Sequence, residues 1–519
     1  MRLMSASAIK ACVLPLCLVA LAALPVVLSQ RAPISRDTAR AEVIIYTPHN
    51  EQIRREFADG FAKWHAAKYG QTAEVIWNTP GGTSEIRKML EANVIAALRN
   101  GVPVGGNADL VFGGGSYEYT QFKKELSYGV EPDVRKGRIV EQVPFEQSAL
   151  DAIYGENKVG DATLYDPDRY WFGTALSGFG IVYNRKCLRT LGLEDPTHWE
   201  DLTDARLRGW ITLVNPSQSG SVTTAFEAIL QRLGWDRGWQ IIRRMAANSR
   251  SIASSAPKVP LDVVAGDAAA GPSIDFYGRF EEQAVADAGD PDRIGYIDPK
   301  GETVIDPDPI ALLANAPHRA TALHFIEFCL SDEGQALWQF AARHGAPGLG
   351  PEEFELRRMP VRRDFIARML PQFRDKVDPF LLASAVENPD PNARAFIPIL
   401  FSALCADRRA SLHAAWKAIT EHPAYPKDYA LVTAADVTDP TLHAMLLAFD
   451  AMPTAQSPDG LIALDSPKGR AAIRDGWLKS KWKSAKLWDV NSAPAEELRR
   501  AWGEFFEGQY TAIVEASAQ

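Results

Sequence analysis

Thr79-Pro80-Gly81-Gly82-Thr83-Ser84-Glu85-Ile86-Arg87 is the stretch whose reading decides the fold. It follows Val75-Ile76-Trp77, which reads as a strand. It precedes a run in which Ile86, Met89, Leu90, Val94, Ala97 and Leu98 share one helical face. Pro and two Gly make the turn, Thr83 or Ser84 is placed to cap the helix, and Glu85 sits in its first turn. Free N–H groups at such a helix start, backed by the dipole, suit an anion or a polar ligand oxygen. An ordinary capped β–α turn would read the same way, so the weight comes from a second loop of this kind. Trp210-Ile211-Thr212-Leu213-Val214 runs into Asn215-Pro216-Ser217-Gln218-Ser219-Gly220-Ser221, which opens a helix with Phe226, Ile229, Leu230 and Leu233 on one face. Two such loops in separate α/β units can face one another across a cleft.

Working outward, Glu42-Val43-Ile44-Ile45-Tyr46 reads as a strand running into Thr47-Pro48-His49-Asn50, and the next helix carries Ile53, Phe57, Phe61 and Trp64 on one side. Asp109-Leu110-Val111-Phe112 is a further strand, ending in Gly113-Gly114-Gly115-Ser116-Tyr117-Glu118. Strand alternating with helix implies a parallel α/β sheet, whose ligands sit beyond the carboxyl ends of the strands. Leu176 to Arg185 reads as a strand entered through a Gly-flexible segment, and Ile294-Gly295-Tyr296-Ile297 as another. Helices are expected over 318–330 and 331–343. From Pro351 onward strand signals nearly vanish, and helical windows such as 408–420 and 494–514 dominate.

At 519 residues the chain exceeds what one hydrophobic core supports, so two or three domains are expected. A net charge of −9 without basic runs in the main body argues against nucleic acid as a partner. Residues 11–28 hold no charged or strongly polar side chain and follow Arg2 and Lys10, so residues 1–30 read as a signal peptide or an N-terminal membrane anchor. Either places the remainder in a periplasmic or other extracytoplasmic setting. Cys187, Cys329 and Cys405 show no metal spacing and read as buried thiols, although one disulfide among them would also fit an oxidising compartment. No G-x-S-x-G elbow and no H-E-x-x-H motif is present, which disfavours an exported hydrolase.

The order of these pieces resembles the periplasmic solute-binding proteins of ABC importers, in the branch that binds ferric iron, thiamine and phosphonates. The resemblance runs from about residue 42 to 345. It rests on Val43 to His49, Gly81 to Glu85, Ala108 to Phe112, Gly180 to Arg185, Trp199-Glu200-Asp201-Leu202, Asn215 to Ser221 and Leu330 to Gln335. It implies a type II two-lobe periplasmic-binding-protein fold, with lobe 1 over 42–175 plus 298–345, lobe 2 over 176–297, and a mostly helical C-terminal extension over 351–519 outside the likeness. It also implies a monomer that traps a small solute between the lobes and delivers it to an ABC permease. A membrane-tethered ligand sensor or scaffold built on the same fold is the alternative.

Iron-binding members use an adjacent tyrosine pair. Here the matching position reads Asp275-Phe276-Tyr277, with one phenolate lost. The resemblance therefore leaves open a metal, a polar or anionic organic solute, or another solute such as a thiamine-like cation. A metal would draw on His49, Glu118, Asp275 and Tyr277, with ferric iron as cargo rather than cofactor. A polar or anionic organic solute would draw on Thr47, His49, Gly82, Thr83, Ser84, Ser177, Ser219, Gly220, Ser221, Asp275 and Tyr277. The extension is read as packing against the lobes; its basic, aromatic run Lys479 to Lys486 is the feature that would instead suit a docking surface.

Overall fold

The computed structural model describes residues 40–427, 430–479 and 493–518. The leader or anchor expected over 1–30 lies outside these residues, as does Ser480 to Lys486 of the basic run. Among the described residues no helix is long and apolar enough to cross a membrane.

The repeating pattern near the N-terminus folds as β1 (Ala41–Tyr46), α1 (Glu51–Tyr69), β2 (Ala73–Asn78), α2 (Thr83–Asn100), β3 (Leu110–Phe112) and α3 (Ser116–Phe122). In α1 the apolar spacing buries Ile53, Phe57 and Phe61 on one face. Asn50 caps that helix by accepting the Ile53 N–H at 3.1 Å. Strand β1 pairs in parallel with β2 and β3, so the loops following all three strands open on the same edge.

The element that joins the two lobes is β4 (Phe172–Asn184), 13 residues buried throughout. Next come β5 (Ile211–Val214), α4 (Gly220–Leu233), α5 (Trp235–Ala247), β6 (Ser249–Ala253), β7 (Ala270–Ile274), α6 (Asp275–Asp287), β8 (Ile294–Ile297) and β9 (Ile305–Leu313). Residues 172–178 of β4 pair antiparallel with β9, whereas residues 179–184 pair with β7 and β8. One sheet of 11 strands results, with the path β2-β1-β3-β9-β4-β7-β5-β6. The change of lobe thus falls inside a strand rather than in a flexible entry. A second passage between the lobes is made by residues 298–304, linking β8 to β9.

Behind lobe 1 pack α7 (Arg319–Leu330) and α8 (Asp332–Gln339). Val43, Phe57, Phe112, Phe172, Phe325 and Trp338 share its core.

The C-terminal region packs on both lobes. Strand β10 (Met359–Pro360) pairs with Ala175 and Leu176 of β4, placing Leu356, Met359 and Val361 in the lobe 1 core. The chain then crosses to lobe 2, where α9 (Ala393–Phe401), α10 (Arg409–Thr420), α11 (Pro440–Asp450) and α12 (Ala493–Ser517) share one core with α4 and α5. The physical reason lies in α5, whose Trp239, Ile241, Ile242 and Met245 leave no wet apolar face and so need cover on more than one side. Trp416, Phe449, Trp502, Phe506 and Tyr510 supply it, each contributing on the order of 2 kcal/mol by burial. Arg244 ties the layers together: it is buried, paired with Asp450 at 2.6 Å, and donates to the Val432 carbonyl at 2.7 Å. A hairpin of Thr454–Ser457 and Gly460–Ala463 adds strand structure to a region expected to be nearly all helix.

Candidate functional site

The two glycine- and hydroxyl-rich loops do meet across the cleft. Gly82, rather than Thr83 or Ser84, occupies the cap position of α2, and the Glu85 carboxylate accepts its N–H at 3.0 Å. With Glu85 closing that turn from its own helix, both hydroxyls are released for other partners. Thr83 Oγ1 accepts the Gly220 N–H from the opposite lobe at 3.2 Å, and Ser84 donates to Glu118 Oε1 at 3.1 Å. Beneath this contact lies a cavity of about 260 Å³ shared by both lobes.

Of the residues expected at the site, His49, Gly82, Thr83, Ser177, Ser219, Ser221 and Tyr277 line this cavity, together with Phe276. Thr47, Ser84, Gly220, Asp275 and Glu118 stand behind it. Thr47 Oγ1 accepts the His49 N–H at 3.1 Å and so fixes the turn that presents the imidazole. Asp275 accepts the Gly178 N–H at 2.9 Å, pinning the start of α6 to the point where β4 changes lobe. Glu118 is held by Arg87 and Ser84.

The four candidate metal ligands therefore do not converge. Among the described residues no group of three or more His, Cys, Asp or Glu side chains is arranged to hold a metal ion. His49 Nε2 is already shared by Asp308 at 2.8 Å and Arg358 at 3.0 Å. The three described cysteines are free thiols rather than a disulfide pair and a leftover.

Three charged lining residues escaped the sequence reading: Asp306, Asp308 and Arg358. The first two lie in Ile305-Asp306-Pro307-Asp308-Pro309, where strand alternation puts both carboxylates on one face. Charged residues alternating with proline, which cannot donate to a ladder, were the available signal. Arg358 comes from the strap just before β10, beyond the segment that carried the resemblance, and no local pattern marks it. It is buried, ion-paired with Asp308, donates through Nε to Ser177 Oγ at 2.8 Å, and lies 4.1 Å over the Phe276 ring. Burial alone would raise the Asp308 carboxyl, but Arg358 and His49 outweigh it and hold Asp308 below the ordinary carboxylate range. Burial lowers His49, with Asp308 opposing. Asp306 is pushed up by burial to about 6, against the hydrogen bonds it accepts from Ser116.

The remaining donors point to what the cavity can take. Among the described residues no acceptor engages the N–H of Thr83 or Ser221, the Tyr277 hydroxyl, or Nη2 of Arg358. Burial raises Tyr277 to about 12, so it stays a neutral donor at every physiological pH. An oxygen-rich solute carrying negative charge would satisfy two helix starts and a guanidinium at once.

Asp275 provides a pH signature. Burial raises it from 3.8 to about 7. A raised carboxyl favours the folded state fully below its ordinary value, and that contribution is lost as pH climbs through about 7. The wild-type melting midpoint should therefore fall as pH rises from 5 to 8. Asp275→Asn, which retains an acceptor for Gly178, should flatten that slope by an amount worth roughly 2–3 kcal/mol. Parallel melting-versus-pH curves for the two proteins would refute this.

These features make a cavity, lined from both lobes, that can enclose a small ligand. Residues 136–358 match the family described as bacterial extracellular solute-binding protein. Over 163 residues the chain is 30% identical to the phosphoglycerate transport regulatory protein PgtC of Salmonella typhimurium, a match covering 31% of this chain and 39% of that protein. The chain thus spans about two fifths of the length of the curated relatives it matches. In fold it is similar to iron-bound HitA from Pseudomonas aeruginosa (TM-score 0.45, 15% identity, 72% of this chain and 99% of that one). It is also similar to the periplasmic binding protein AfuA from Actinobacillus pleuropneumoniae with fructose-6-phosphate bound (TM-score 0.43, 20% identity, 57% and 81%).

Proposed function

We propose that this protein captures a small organic anion of the phosphate-ester or phosphonate class between its lobes and presents it to an ABC permease in the membrane. The observation that carries this reading is the convergence of unengaged donors on one cavity: a helix start from each lobe, together with Arg358. The phosphoryl oxygens sit at the start of α2 and α4. Nη2 of Arg358 takes a second anionic group, and the Phe276–Tyr277 pair packs the carbon skeleton. A volume of about 260 Å³ favours a compact solute, since pockets for drug-sized ligands run from about 300 to 1,000 Å³. The relative named for phosphoglycerate transport suits this chemistry, because phosphoglycerate carries a phosphate and a carboxylate. No step of this role makes or breaks a bond.

Isothermal titration with 3-phosphoglycerate, glycerol 3-phosphate and ferric citrate tests the reading. The full chain should bind 3-phosphoglycerate more tightly than glycerol 3-phosphate, which lacks the carboxylate, and leave ferric citrate unbound. Arg358→Lys keeps the charge beside Asp308 but loses the planar fork. It should weaken 3-phosphoglycerate by about tenfold or more and erase the preference over glycerol 3-phosphate. Binding of ferric citrate in place of either phosphate would overturn the proposal.

A second reading keeps the site but changes its client. The relative's name describes a regulatory protein, which favours a sensor that presents its liganded state to a signalling partner. Ligand-dependent uptake after reconstitution with a permease supports delivery, whereas binding without any uptake supports sensing.

A further inference from the structure

We infer that residues 383–394, beyond the solute-binding family match, form a third tie between the lobes that latches the closed cleft, with Arg394 as its positioning residue. The inference rests on the reading that solute is held between the lobes. Two passages, β4 and residues 298–304, already join them. After β10 the chain packs on lobe 1 through Phe380 and Leu382, then leaves for lobe 2. On the way the Val386 N–H donates to Asp161 of lobe 1 at 2.7 Å, while Arg232 of lobe 2 donates to Ser384 Oγ at 3.0 Å and to the Ala385 carbonyl at 3.1 Å. Gln231 exchanges two hydrogen bonds with the Asp390 backbone, each at 2.8 Å. One short segment therefore holds polar partners on both sides of the cleft.

Arg394, at the start of α9, completes the tie at the ligand cavity. Its Nη1 donates to Thr224 Oγ1 at 3.0 Å and to Glu227 at 2.6 Å, and its Nη2 to the Gly220 carbonyl at 3.3 Å. These partners belong to α4, the helix whose start meets Thr83, and Thr224 itself lines the cavity. The same guanidinium lies 4.1 Å over the ring of Tyr117, which belongs to lobe 1. Lobe opening must pull Tyr117 off a cation that stays with α4. Arg394 is buried, so little water competes for it, and an attraction of this kind is stronger when desolvated. The strap therefore stabilises the closed form relative to the open one without touching solute, and it places the C-terminal region where it is displaced whenever the cleft opens.

Tyr117→Leu and Asp161→Ala remove the lobe 1 halves of the tie and leave every bond of Arg394 to α4 intact; Tyr117 is already 39% exposed, so its loss should leave the melting midpoint nearly unchanged. Spin labels at the exposed positions 124 and 236, in a Cys187→Ser background, report lobe separation by dipolar spectroscopy without solute. Stopped-flow release of 3-phosphoglycerate reports closed-state lifetime. Both variants should shift the solute-free distribution toward longer separations. The double variant should speed release by about tenfold with no fall in the association rate, while Tyr117→Trp, which keeps an aromatic face, should restore the wild-type distance. Unchanged distances in the double variant would overturn the latch. The absence of any 3-phosphoglycerate binding would instead count against the ligand reading, leaving the distance measurement to decide the latch by itself.

Discussion

Gly220→Val will leave both lobes folded and abolish tight solute binding. A Cβ on Gly220 would come within 2.6 Å of Thr83 Oγ1 and 2.9 Å of Glu118 Oε1, both from the opposite lobe. Glu118 cannot yield easily, because Arg87 and Ser84 fix it. Nor would the substitution strain its own backbone, since residue 220 opens α4 in an ordinary helical conformation. The cost falls on closure alone, where about 3 kcal/mol of overpacking would weaken binding by two orders of magnitude. Gly82→Val should act similarly from the other side, because its Cβ would lie 2.9 Å from the Gln218 carbonyl. Solution scattering should then give one elongated form for Gly220→Val with or without solute. A solute-dependent contraction equal to wild type's would show that the loops do not set the closed state.

The second large effect concerns folding. Asp308→Ala will destabilise the chain by roughly 3–5 kcal/mol, because it strands the buried Arg358 guanidinium. Asp308 also accepts the Gly114 N–H at 2.6 Å and the His49 ring, so three partners lose their acceptor together. Removing the charge from both sides, as Asp308→Leu with Arg358→Met, should recover much of that stability while still binding no anion. Chemical denaturation of the three proteins checks this. A loss under 1 kcal/mol for Asp308→Ala would show that Arg358 is not held as an ion pair.

Much of the architecture could be read from residue order, because each relevant signal was local. The strand ends at Tyr46, Asn78 and Val214, and the small-residue loops that follow two of them, carry their own turn chemistry and periodicity. The cavity-lining Thr83, Ser177, Ser219, Ser221 and Tyr277 followed from those loops and from the likeness. What stayed hidden was set by distance along the chain. Arg358 meets His49 across 309 residues, and nothing near either announces the other. Ser84 and Asp275 have the right chemistry for a site, but tertiary partners at Glu118 and Gly178 claim them. The C-terminal region read correctly as helical in its long windows, yet its placement on α4 and α5 depends on which surfaces lobe 2 leaves bare, a property of the folded lobe alone.

Titration of 3-phosphoglycerate into the full chain and into Gly220→Val, followed by calorimetry under identical conditions, is the most direct test that the paired loops clamp an organic anion. The expected result is saturable one-to-one binding near 10⁻⁶ M, about −8 kcal/mol, for the unaltered protein and at least a hundredfold weaker binding for the variant. Equal affinity in the two proteins, or no heat from either with any phosphate ester or phosphonate, would contradict it.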